Sequence, residues 1–203
     1  MRLLDVEQRL LVLNQPVLQT RDVSACLNIP NAQASKILDR LVKAGRFVRL
    51  MRGKWATTKQ LDPLILPEYL TAPFPSYISL QTALFYHGMI SQIPHTIYAV
   101  SLARTNQYST SFGNISIHHL QPDFFFGFEI VNHFKLASME KALIDTLYLT
   151  PAKSKLFKTL PEIEFPASFS IKKTNAIINK ITSMRIKTIV QKRLDKLLSQ
   201  NHE

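Results

Sequence analysis

Residues 31–58 read NAQASKILDRLVKAGRFVRLMRGKWATT, and the way this stretch divides decides the fold of the N-terminal part of the chain. Ala34, Ile37, Leu38 and Leu41 recur at three- and four-residue steps, which places them on one stripe of an α-helix. The pattern predicts a helix over residues 31–44, capped by Asn31 and closed just past its end by Gly45. Gln33, Lys36, Arg40 and Lys43 share another face of the same helix. Beyond Gly45 the period changes. Residues 46–50 and 55–58 are short extended runs around Arg52-Gly53-Lys54, a glycine-centred turn flanked by cations, and they predict a basic β-hairpin.

Working upstream, Leu3, Val6, Leu10 and Leu13 predict a first amphipathic helix that Pro16 ends. Val17–Gln19 reads as a short extended piece, Thr20 as the cap of a helix over Arg21–Leu27, and Asn28-Ile29-Pro30 as a turn. Helix, strand, helix, turn, helix and basic hairpin is the order of a winged helix-turn-helix, assigned to residues 1–60. Such a domain lays one helix in the DNA major groove, roughly 12 Å wide. Residues 28–59 carry eight cations and a single anion, Asp39, the balance expected of a surface that neutralises phosphates. The candidate DNA contacts are Asn31, Gln33, Lys36, Arg40 and Lys43 on the helix, Arg46 and Arg49 on the first hairpin strand, and Arg52 and Lys54 at the turn. The turn cations are expected on the backbone or in the minor groove. Trp55 and Cys26 read as packing residues.

The same basic signature is uneven along the chain. Of 203 residues, 25 are Lys or Arg and 14 Asp or Glu, for a net charge of +11. Residues 1–60 hold +7, residues 61–150 hold −3, and residues 151–203 again hold +7. A hydrophobic content of 46% excludes a disordered chain, one cysteine excludes a disulfide framework, and 11 prolines against 5 glycines argue against glycine-rich phosphate loops. Pro63, Pro67, Pro73 and Pro75 mark residues 61–76 as an extended linker, and a second break falls at residues 151–166. The opening MRLLDVEQRLLVL is interrupted by Asp5, Glu7 and Arg9, unlike an export signal, and the uncharged run 69–103 is too polar to span a membrane. A cytoplasmic protein with no membrane contact is expected.

Residues 77–203 predict an α+β effector domain. Ser79 is expected to cap a helix closed by Gly88, strand-like runs follow at Ile97–Leu102, Ile115–His119, Phe124–Ile130 and Phe134–Ala137, and Ser138 caps a second helix. Together they describe a small antiparallel or mixed sheet packed by helices. A basic helical C-terminus over about residues 168–200 breaks near Thr182-Ser183, with Ile171, Ile178, Ile181, Ile189, Val190, Leu194, Leu197 and Leu198 as the apolar side. Its cations suit a solvated face, with DNA flanks, an acidic protein surface or RNA as alternatives.

An enzyme is not expected. His118 and His119 are adjacent on a strand and point to opposite faces, and no metal-binding spacing of His or Cys occurs. Asp123 and Glu129 resemble half of a nuclease centre, but Val131 stands where the cation would be needed. Lys141 and Asp145 suit an i,i+4 pair on a helix. No cofactor or metal is expected.

The elements SYISLQTALFYHGMI (76–90), IPHTIYAVS (93–101), ISIHHL (115–120) and ASMEKALIDTLYL (137–149), following the expected winged helix, resemble the AbiEi-type antitoxins of type IV toxin–antitoxin systems, regulators linked to viral defence. The resemblance covers most of residues 1–150 and none of the last fifty. It implies an autorepressor whose winged helix binds inverted repeats in the promoter of its operon, with DNA contact on residues 31–44 and 46–56. It also implies a C-terminal domain that counteracts a nucleotidyltransferase toxin without an obligatory complex. The resemblance supplies no catalytic residue, and one or two copies on the DNA are compatible with it. The alternative is a stand-alone winged-helix transcription factor whose C-terminal domain senses a ligand or a protein partner.

Overall fold

A computed structural model describes residues 2–149 and 162–200 and divides the chain into two compact units. The first runs to Pro63 and takes in Ser109–Gly113, and the second comprises Leu64–Tyr108 and the chain from Asn114 onward. Both contain helices and sheet, so the protein is α+β. No helix among the described residues is long and apolar enough to cross a membrane.

The first unit contains α1 (Leu3–Leu11), β1 (Val17–Gln19), α2 (Thr20–Leu27), α3 (Asn31–Lys43), β2 (Val48–Met51) and β3 (Lys54–Ala56). The three strands form one antiparallel sheet in the order β1-β3-β2. Val6, Leu10, Val23, Leu27, Ala34, Ile37, Leu38, Leu41, Phe47 and Trp55 form the core where the three helices meet the sheet. Every position of the apolar stripe in α3 is therefore inside. Cys26 packs against this core from its edge.

Two caps differ from expectation. Thr20 is the first residue of α2, and Gln19 occupies the cap: its side chain and that of Asp22 satisfy each other's backbone N–H groups, with Gln19 N donating to Asp22 Oδ2 at 2.8 Å. Likewise Asn31 is the first residue of α3 and Pro30 is the cap, its carbonyl accepting from Gln33 N at 2.9 Å and Ala34 N at 3.0 Å. Pro30, at φ −59°, sets the chain direction into the helix, so the Asn31 side chain is left without a capping bond.

The proline-rich stretch 61–76 is not an extended linker. Pro63–Ile65 form a 3-10 turn and Leu66–Thr71 form α4, with Pro67 in the first helical turn, where a missing N–H costs nothing. Leu66, Pro67, Leu70 and Thr71 are buried, so the segment belongs to the core of the second unit.

That unit is built on a six-stranded mixed sheet, order β6-β7-β5-β4-β9-β8, from β4 (Ser76–Ile78), β5 (Thr96–Ser101), β6 (Asn106–Thr110), β7 (Gly113–His119), β8 (Phe128–Val131) and β9 (Phe134–Ala137). Here β4 runs antiparallel to β5 and parallel to β9, β5 runs parallel to β7, and β8 and β9 form a hairpin. Around the sheet lie α5 (Leu80–Tyr86), α6 (Met139–Leu149), α7 (Ile171–Asn179) and α8 (Met184–Gln200). The expected strand at Phe124–Ile130 is only half a strand. Pro122–Phe124 form a 3-10 turn, Gly127 adopts φ +78°, and the strand begins at Phe128. Phe124, at the end of this turn, buries its ring. Most of the break at 151–166 lies outside the described residues. The segment 171–200 is two helices parted at residues 180–183; Ile178, Val190 and Leu194 on them and Ile181 between them are buried. Ile171, expected on the apolar side, is instead 48% exposed, and Lys172, Lys173, Arg185, Lys192 and Lys196 are exposed to solvent as well.

Candidate nucleic-acid interface

The basic surface of the first unit is held in place by bonds made at its edges. At the C-terminus of α3, Arg46 N donates to Leu41 O at 2.9 Å and Gly45 N to Val42 O at 2.8 Å, a Schellman closure that requires the left-handed φ of +69° at Gly45. The chain reverses there into β2, and Phe47 inserts into the core at 1% exposure. The hairpin is anchored at two points. Thr20 N donates to Gly53 O at 3.1 Å, and Trp55 Nε1 donates to Thr20 Oγ1 at 3.1 Å. Trp55, paired across the strands with Leu18 and Arg49, is the wedge that fixes the hairpin on the helices.

On α3, Gln33, Lys36 and Arg40 rim a groove between α1 and α3 whose floor is Leu3, Val6 and Ile37. Asn31 and Lys43 are exposed at the two ends of the helix. Lys36, Arg40 and Lys43 make no ion pair among the described residues, and Arg52 is exposed at the tip of the hairpin. These four charges form the open part of the surface.

The remaining cations are engaged within the unit. Arg46 lies 3.7 Å from Glu7 on α1. Arg49 stacks its guanidinium 5.3 Å from the Trp55 ring centre and reaches Asp39 at 4.0 Å. Lys54 sits on β3 rather than at the tip, and burial, then the nearby Arg21 charge, hold its ammonium below the ordinary lysine pKa. Sequence spacing groups these three with the open cations because it does not show which side of a strand meets a neighbour.

Two residues on the outer face of α3, Ala32 and Asp39, are not basic. At about 100° per residue, the direction opposite the buried stripe of α3 passes between Ala32, Lys36, Asp39 and Lys43, with Ser35 beside them. Measured from the buried stripe rather than from the cations, the helix wheel puts Ala32 and Asp39 on the outermost strip.

In the second unit, the segments beginning SYIS and MEKALID meet at one buried cluster. Asp145 accepts from Tyr77 OH at 2.9 Å and from Ser79 Oγ at 2.8 Å, and its other oxygen accepts from Lys141 Nζ. Both charged side chains have no exposed surface. Lys141 Nζ also lies 3.9 Å from the Phe124 ring centre and 4.9 Å from that of Phe126. Burial lowers the Lys141 pKa and raises that of Asp145, each opposed by the partner charge, and burial next to Asp145 raises Tyr77 well above the usual phenol value. Ser79 thus spends its hydroxyl on Asp145, not on capping α5 as its position predicts. Glu140 is buried as well, accepting from Ser170 N at 3.3 Å and so tying α6 to the start of α7. Buried throughout, this cluster fastens α6 to β4.

The histidines are placed individually. His118 is buried against Ser116 Oγ at 3.0 Å with its pKa lowered by burial, whereas His119 Nδ1 lies 3.1 Å from Ala103 O on the other side of the strand. No protein-family model matches the chain, and no curated protein matches it in sequence.

Proposed function

We propose that the first unit is a winged helix-turn-helix that binds duplex DNA and that the protein is a cytoplasmic transcriptional regulator. In this reading α3 enters the major groove and the β2–β3 hairpin is the wing, with Arg52 on the backbone or in the minor groove. The observation that carries the reading is the helix-borne set Lys36, Arg40 and Lys43, exposed and without ion-pair partners among the described residues, on a helix anchored at both ends. A lysine or arginine on an ordinary solvated helix gains little from its position. On DNA each one releases counterions, so the set contributes together.

Within that reading, the protein is the antitoxin and autorepressor of an operon that encodes a nucleotidyltransferase toxin. The support for this finer role is the resemblance carried by residues 76–90 and 137–149, the two segments whose polar residues meet at Asp145. Mobility-shift titration of the full chain against its own upstream region tests DNA binding: the expected result is a shift that weakens steeply with salt, and a salt-insensitive shift or none overturns it. Growth rescue on co-expression with an adjacent toxin gene tests the antitoxin role separately.

A further inference from the structure

Asp39 is the one anion in the basic stretch of residues 28–59, and it stands on the outermost strip of α3, between Lys36 and Lys43. Its position is costly for a surface whose task is only to hold phosphates, because a carboxylate repels every phosphate it passes. It is also not hidden: the side chain is 48% exposed, and its ion-pair partner, Arg49, is 53% exposed. That pair is long at 4.0 Å, and Arg49 is held from its other side by the Trp55 ring. Arg49 would keep its seat on Trp55 if Asp39 turned away.

We propose that Asp39 reads the exocyclic amino group of a cytosine in the major groove. The inference rests on the DNA-binding reading above and names what one residue of that surface recognises. A carboxylate on a groove-facing strip finds a favourable partner only where a base edge presents a donor, and of the two such donors, cytosine N4 and adenine N6, only cytosine N4 lacks a neighbouring N7 acceptor on its own base that repels the charge. Everywhere else on the duplex the charge is repelled. Asp39 therefore lowers affinity for random DNA and raises the ratio of specific to non-specific binding, selecting its site by penalising the others. Lys36 and Lys43, on either side, supply the attraction that keeps the helix in the groove.

The test is selection of binding sites from a randomised duplex library by the full-length protein, its Asp39→Ala variant and its Asp39→Asn variant. The wild type is expected to require cytosine at one position of each recognition element. Asp39→Ala is expected to lose the preference at that position alone, by about tenfold, while binding random duplex more tightly. Asp39→Asn is expected to shift the preference toward adenine, whose N6 and N7 match an amide. A wild-type motif that Asp39→Ala reproduces unchanged overturns the proposal and leaves the DNA-binding reading standing. Failure of the wild type to bind any duplex at low salt overturns both.

Discussion

Lys141 shows how much a single buried side chain can carry. It lies against Phe124 and Phe126, its ammonium bonded to an equally buried carboxylate, and the glycine beside it is required by space: a Cβ on Gly127 would stand 3.0 Å from Lys141 Cγ. Removing one partner of such a pair leaves an uncompensated charge, so Lys141→Met is expected to cost about 3–5 kcal/mol at neutral pH, measured by urea denaturation. The pH dependence follows from burial. Without Lys141, the buried Asp145 carboxyl takes up its proton at a higher pH than in the unfolded chain, because the Lys141 charge that opposes desolvation is gone. The folded variant then binds more protons than the unfolded one between the two pKa values, and its stability rises as pH falls through that window. The gap between variant and wild type is expected to narrow from pH 7 toward pH 5.

Among the elements, α3 with its hairpin is the one whose ends are best determined. Gly45 closes it at φ +69°, where an L-residue is strained, so Gly45→Ala is expected to lower stability by about 1–2 kcal/mol. The nearest atom to the added Cβ, Lys59 Nζ at 3.3 Å, is the end of a flexible side chain and can move aside. Function divides along the same element. Lys36→Ala with Arg40→Ala is expected to weaken binding to the operator more than to random duplex. Arg52→Ala is expected to weaken both alike and to reduce the slope of log K against log salt by roughly 0.9, the share of one phosphate. Arg49→Ala separates the two kinds of arginine: the residue covers Trp55, so its loss is expected to cost about 1 kcal/mol of folding stability.

On the scale of the whole molecule, the net charge of +11 divides into two excesses of different character. The N-terminal one includes Lys36, Arg40, Lys43 and Arg52, exposed on α3 and at the hairpin tip. The C-terminal one rides on α7 and α8, whose apolar sides are buried in the second unit. Arg185, Lys192 and Lys196 are exposed on α8, and changing all three to Gln is expected to alter stability by less than about 1 kcal/mol. Leu194→Ala, at 1% exposure, is expected to cost about 2–4 kcal/mol in the same denaturation experiment.

The sequence by itself determined the order of helices and strands in the first unit, though not the caps of its second and third helices. Apolar spacing at Ala34, Ile37, Leu38 and Leu41, glycine at positions 45 and 53, and proline at 16 and 30 are local signals that mark these elements in the sequence. It also determined that the second unit mixes strands and helices, and that α7 and α8 have one apolar side each. Only the tertiary structure decided what depends on partners far apart in the chain. The prolines of residues 61–76 read as a linker until Leu66 and Leu70 find a core to enter. The three-residue β4 is too short to announce itself, and it exists because β5 and β9 bond to its two edges. Lys141 and Asp145 read only as an i,i+4 pair on a helix, since neither residue type shows that Tyr77 and Ser79 will arrive from more than sixty positions away to satisfy the carboxylate. Arg46 and Arg49 look like Arg52 in the sequence, and Glu7, Asp39 and Trp55 set them apart. Spacing settles which residues share a face. Which face is buried, and which charge is left for a partner, is settled by long-range contacts that spacing does not encode.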